Sequence, residues 1–117
     1  MSMVEIIVWR EPGWATTDLI GYEVEATDGK VGKVDEKTTL VQNQGFIVAD
    51  TGPWILGKKV MLPAGIIQSV DPDEQKLYVD RTKDEIKNAP ELDESTFQQT
   101  SYQDQIGSYY GRSQVTR

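Results

Sequence analysis

Trp54, Ile55 and Leu56, followed by Lys58 and Lys59, are the residues best equipped to recognise another molecule. They sit in the run GFIVADTGPWILGKKVMLP from Gly45 to Pro63, just after a Gly-Pro pair that marks a loop. A loop normally carries polar residues, so three large apolar side chains there leave two readings open. They form a patch for a partner, since aromatic anchors dominate interface energetics. Alternatively the loop folds back over one end of the chain's own core, since an uncovered Trp is costly to solubility. Tyr102, Ile106, Tyr109 and Tyr110 recur at helical spacing and pose the same question. They pack on the chain's own sheet or a second copy, or they dock on a different protein. Both groups are candidate interface residues.

Acid-base and metal chemistry find less to work with. Asp71, Asp73 and Glu74 offer oxygen ligands to a hard cation but fall short of a calcium loop, so they read as a solvated turn. Glu23 and Glu25 lie on the outer face of a strand pattern, with no further group to make them an acid-base pair. The sequence has no His and no Cys, which removes Ser-His-Asp catalysis, thiol nucleophiles and nearly every zinc or iron site. The expectation is a chain that is not an enzyme, with no catalytic residue, no cofactor and no metal.

The 117 residues carry a formal charge of −7, and 16 of the 19 acidic residues lie between Met1 and Glu91. An acidic body opposes binding to phosphate backbones and anionic lipid. The expected partner is a protein or a second copy of the chain, with no nucleic acid. No apolar run approaches the roughly 20 residues that span a bilayer, and the N-terminus lacks a signal-peptide pattern. No membrane span and a cytoplasmic location are expected.

The elements that would position these groups are mostly strands. Ile20, Tyr22, Val24 and Ala26 alternate with Glu23 and Glu25 as in a half-buried strand, and Asp28-Gly29 is a hairpin signal leading into Val31 to Thr39. Phe46 to Asp50 is fully apolar up to its last residue. Lys58 to Pro63, Ile66 to Val70 and Lys76 to Asp80 follow, joined at Ala64-Gly65 and Asp71-Pro72-Asp73-Glu74 by turns. Met3 to Trp9 could add a strand, broken by Glu11-Pro12-Gly13, with Trp9 and Trp14 laid over the sheet. About six strands with short connections predict a small antiparallel barrel or sandwich. Thr82 and Glu85 form a capping box for a short helix that Pro90 stops. Beyond Leu92 the composition turns to Gln, Ser and Thr, with a weak amphipathic helix and a disordered end.

Three segments, LIGYEVEATDGKVGKVDE (Leu19 to Glu36), DTGPWILGKKVMLPAG (Asp50 to Gly65) and VDPDEQKLYVDRTKDEIKNAPEL (Val70 to Leu92), resemble the PRC-barrel family in content and order. That family is named for the cytoplasmic domain of the photosynthetic reaction-centre H subunit, and the tail resembles its short stand-alone bacterial members. The resemblance implies an all-β fold, a six-stranded antiparallel barrel over 19–92 with a short C-terminal helix, flanked by an extension at 1–18 and a polar tail at 93–117. It also implies a module that works by docking to other proteins or to itself. Met1 to Asp18 is too short and too polar for the H subunit's membrane anchor, and nothing fits the separate N-terminal domain of the ribosome maturation factor. The photosynthetic and ribosomal roles are therefore not carried over. The alternative the family offers is a small ligand, such as a quinone, at the barrel mouth.

Overall fold

The computed structural model describes residues 6–39, 44–52, 59–90 and 100–112. In chain order these form α1 (Pro12–Thr16), β1 (Glu23–Ala26), β2 (Gly29–Thr39), β3 (Gly45–Asp50), β4 (Lys59–Pro63), a 3-10 turn (Ala64–Ile66), β5 (Ile67–Asp71), β6 (Lys76–Val79), α2 (Lys83–Lys87) and α3 (Thr100–Arg112). The strands make one sheet in the order β4-β3-β2-β1-β6-β5.

This sheet corrects the expected closed antiparallel barrel in two respects. It is mixed, because β1 and β6 pair in parallel, Glu23 opposite Lys76 and Glu25 opposite Tyr78. It is also open, because the edge strands β4 and β5 do not pair. Both differences have one cause. Ala64-Gly65 was expected to reverse the chain, but the 3-10 turn there carries β4 onward into β5 without a hairpin. That flips the sense of every later strand, so β6 meets β1 in the parallel direction. The same short connection curls the sheet. Six strands laid flat would separate their outer members by ~24 Å, whereas Pro63 and Ile67 are at most ~14 Å apart along the chain.

Phe46, Ile47, Val48 and Ala49 are all buried. Successive strand residues face opposite sides, so such a run needs cover on both. The N-terminal segment supplies the second cover. Gly45 N–H donates to Ile7 O at 2.7 Å, Val8 bridges Gln44, and the Trp9 indole lies so close to Gly45 that a Cβ there would sit 2.4 Å from its Nε1. Lys37 fixes the segment's second half. Its ammonium donates to Ala15 O and Thr17 O, both at 2.7 Å, and lies 5.3 Å from the centre of the Trp9 ring. It thus meets carbonyls at the C-terminal end of α1, where a cation is favoured. Pro12 starts this helix, occupying the first-turn position where its missing N–H costs nothing.

At the other end, α2 has the expected capping box. Glu85 N–H donates to Thr82 Oγ1 at 3.1 Å, and Thr82 N–H donates to Glu85 Oε1 at 2.9 Å. Helix α3 packs on β4, placing Tyr102, Ile106 and Tyr110 in the core. It is anchored by Arg81, which is 2% exposed. The Arg81 guanidinium is paired with Asp80 and donates from Nη2 to Tyr110 O at 2.8 Å. Tyr110 O is one of the last four carbonyls of α3, which have no partner inside the helix.

Replacing Arg81 by Met should cost about 2–3 kcal/mol, the worth of a charge-assisted hydrogen bond at a buried site. Urea denaturation measures the loss, and hydrogen exchange should show α3 amides losing protection before those of β2 and β3.

Candidate functional site

The 11 residues of β2 outrun both neighbours. Along one side, Gly29, Lys30, Gly32 and Lys33 pair with β1. On the other side the pairing with β3 begins only at Lys33, opposite Asp50. Beyond Asp50 the chain leaves the plane of the sheet. Gly52 N–H turns back to Asp50 Oδ1 at 2.9 Å, and the Asp50–Thr51 backbone crosses directly over Gly32. A Cβ on Gly32 would lie 2.0 Å from Asp50 O and 2.9 Å from Thr51 Cα, so only glycine allows this crossing. Gly29 to Gly32, a stretch of ~10 Å, is therefore left with a strand on one side only among the described residues.

A cleft of about 440 Å³ opens at this place, lined by Lys30, Val31, Gly32, Lys33, Asp50, Thr51 and Gly52. A β-bulge orders its lysines. Glu23 pairs with Lys33 and Glu25 with Lys30, leaving Val31 as the extra residue on β2. Lys30 and Lys33, three apart in sequence, therefore share one face with Glu23 and Glu25. Lys30 Nζ lies 3.5 Å from Glu23 Oε2, with its side chain 54% exposed. Lys33 is exposed and makes no ion pair among the described residues.

The residues expected from sequence are distributed differently. Trp54, Ile55, Leu56 and Lys58 lie outside the described residues, directly after the cleft's last lining residue. Lys59 opens β4 and pairs with Asp35 Oδ2 at 2.7 Å. Tyr102, Ile106 and Tyr110 are buried in the chain's own core, and Tyr109 is half-buried beside them. Tyr102 Oη donates to Pro90 O at 3.2 Å and Tyr109 Oη to Glu85 O at 2.6 Å. Burial pushes the Tyr102 phenol up to about 12. Burial raises Tyr110 further, helped by its tyrosine neighbours, and burial and then the Glu85 carboxylate raise Tyr109. Asp71 Oδ1 accepts from Asp73 N–H and Glu74 N–H, both at 3.1 Å, and so serves its own turn.

Among the described residues no group of three or more carboxylates is placed to hold a metal ion. No helix among them is long and apolar enough to cross a membrane. The lining residues of the cleft escaped sequence reading because they are defined by where β3 stops pairing. The one visible signal is length, a nine-residue alternation from Val31 to Thr39 beside a five-residue strand from Phe46 to Asp50.

No family model matches the sequence, and no curated protein matches it. Among solved structures the chain is similar to a proposed 16S ribosomal RNA processing protein, RimM, from Pseudomonas aeruginosa. The identity is 21% and the TM-score 0.47, over 56% of this chain and 42% of that one, so the chain spans less than half of that protein. One expectation is corrected by this neighbour, which is described as acting on RNA: the exclusion of nucleic acid as a partner does not stand. Net charge is a sum over the molecule and does not report where individual lysines sit.

Gly32→Ala should push Asp50 and Thr51 off β2 and lower stability by about 1–3 kcal/mol, whereas Lys33→Ala should stay within about 0.5 kcal/mol of the wild type; urea midpoints distinguish the two. Stability should also fall as pH rises from the ordinary phenol value near 10 through about 12. In that window the unfolded chain releases tyrosine protons that the folded chain retains, so unfolding is favoured. Lys37, lowered by burial against a smaller opposing effect of Asp18, acts the other way and only below 10.5. Thermal melts between pH 9 and 12 should show the fall, and Tyr102→Phe should make it shallower.

Proposed function

We propose that this chain is a non-enzymatic docking module of the PRC-barrel type, which holds a larger assembly through the sheet end beside Gly52. The observation that carries this reading is the composition of the cleft. It is built from a stretch of β2 backbone with one strand neighbour among the described residues, two lysines on one face and the turn at Asp50 to Gly52. Main-chain donors and acceptors with flanking charges suit recognition of a macromolecule, whereas catalysis calls for a nucleophile next to a base or for converging acids. The family reading is supported by the order of the three resembling segments and by six strands followed by a short capped helix.

Two parts of the sheet are covered by the chain's own segments. The N-terminal segment covers one face of β3, and α3 covers β4. Among the described residues, the end of β2 beside Gly52 has no such cover from a strand.

Gel filtration of fresh native extract, with the chain followed by antibody, tests the proposal. The chain should elute with a complex several times its own size, and parallel extracts treated with ribonuclease should show whether RNA is needed. Elution as a monomer in untreated extract would overturn the docking role.

A further inference from the structure

Charges on the outer face of the sheet run in rows across the strands. One row reads Lys76 on β6, Glu23 on β1, Lys33 on β2 and Asp50 on β3, each the pairing partner of the next. Base and acid alternate across it, and opposite charges on neighbouring strands stabilise the pairing. The adjacent row reads Tyr78, Glu25 and Lys30, and stops there because β3 has left the sheet. Lys30 thus occupies the position that Lys33 holds in the first row, with an acid on its β1 side and an open cleft where Asp50 would continue the pattern.

From this we infer that the notch beside Gly29–Gly32 takes an extended acidic segment of a protein partner, added as a short strand in line with β3 with a carboxylate set against Lys30. Three features of the site converge on that occupant. The backbone of Gly29 to Gly32 has one strand neighbour among the described residues. In antiparallel pairing, N–H and C=O groups point alternately to either side, so about half of those in this stretch face the cleft. The cleft of about 440 Å³ lies at this stretch, where Gly32 lets the Asp50–Thr51 backbone pass over the face of β2 instead of beside it. Finally, the completed row supplies the charge rule, acid against lysine, that the incomplete row lacks. Main-chain pairing gives such a contact its affinity, and the alternate side chains give it specificity.

The inference rests on the docking role proposed above and specifies its site and the chemistry of its partner. It is tested with the full chain and a fluorescein-labelled peptide of eight alternating valine and glutamate residues, followed by anisotropy and by amide NMR. Saturable binding is expected, with shifts concentrated at Gly29 to Gly32. Lys30→Glu should weaken it at least tenfold, as should glutamine in place of glutamate in the peptide. Lys87→Glu, the same charge change on exposed α2, should leave it unchanged. N-methylation of the peptide backbone along one edge should abolish it.

Absence of saturable binding by a folded wild-type chain overturns the inference, as does equal binding to the Lys30→Glu variant. Tighter binding of a single-stranded oligonucleotide of matching charge, lost in Lys30→Glu, overturns it in favour of nucleic acid. A chain that still elutes in a large complex from native extract while failing these titrations retains the docking role and loses this site. Monomeric elution removes the docking role itself.

Discussion

A buried cation holds the separate parts of this molecule together. Arg81 and its neighbour Asp80 stand where β6 ends, and four segments distant in sequence meet there. The Arg81 carbonyl accepts from Thr27 in the β1–β2 turn, and Asp80 N–H donates to Ile66 in the 3-10 turn. Arg10 reaches in from the N-terminal segment, donating to Gly65 O at 2.8 Å and to Asp80 Oδ2 at 2.6 Å. The Arg81 guanidinium then carries the connection to α3. A charged group is expensive to bury unless it is paired and hydrogen-bonded. Asp80 and the Tyr110 carbonyl supply that pairing at the two terminal nitrogens of Arg81, and the second is in place only when α3 is docked.

The curl of the sheet and the position of the cleft are linked through the same arrangement. The 3-10 turn that draws β4 and β5 toward one another runs directly beneath Arg10 and Asp80. With the two edges drawn in and α3 set against β4, the sheet buries its concave side without closing. The end of β2 remains outside this enclosure because β3 turns away at Asp50. Closing the sheet would join β4 to β5 and leave that stretch as it is, because its pairing depends on where β3 ends.

Local chemistry was legible in the sequence wherever a few adjacent residues decide it. The Thr82–Glu85 box, the Asp28-Gly29 turn and the doubly buried run from Phe46 to Ala49 all appear where composition placed them. Ile20 was expected to share the inward face with Tyr22 and Val24, yet it is 51% exposed. Gly21 N–H is tied to Val34 O there, so the strand starts only at Glu23 and the alternation does not reach back to Ile20. Strand direction was not legible either, since whether Ala64-Gly65 reverses the chain depends on what the rest of the sheet leaves room for. Lys30 and Lys33 point to opposite faces by simple alternation, and it takes the bulge at Val31, a property of two strands together, to bring them side by side. The tyrosines of α3 showed their helical spacing, whereas their inward direction depended on β4, which lies far away in sequence.

The parallel pairing of β1 with β6 also sets the order in which the molecule can assemble. From β1 to β4, each strand pairs with the one after it, so this part grows by local contacts that close cheaply. Glu23 and Lys76 are about fifty residues apart, and their pairing bears the loop-closure entropy of everything between them. Long-range closures of this kind slow folding. The Arg81 junction, which follows directly on β6, depends on the same long-range closure. The parallel pair is thus the costliest contact in the sheet to close, although it is made of two of its shortest strands.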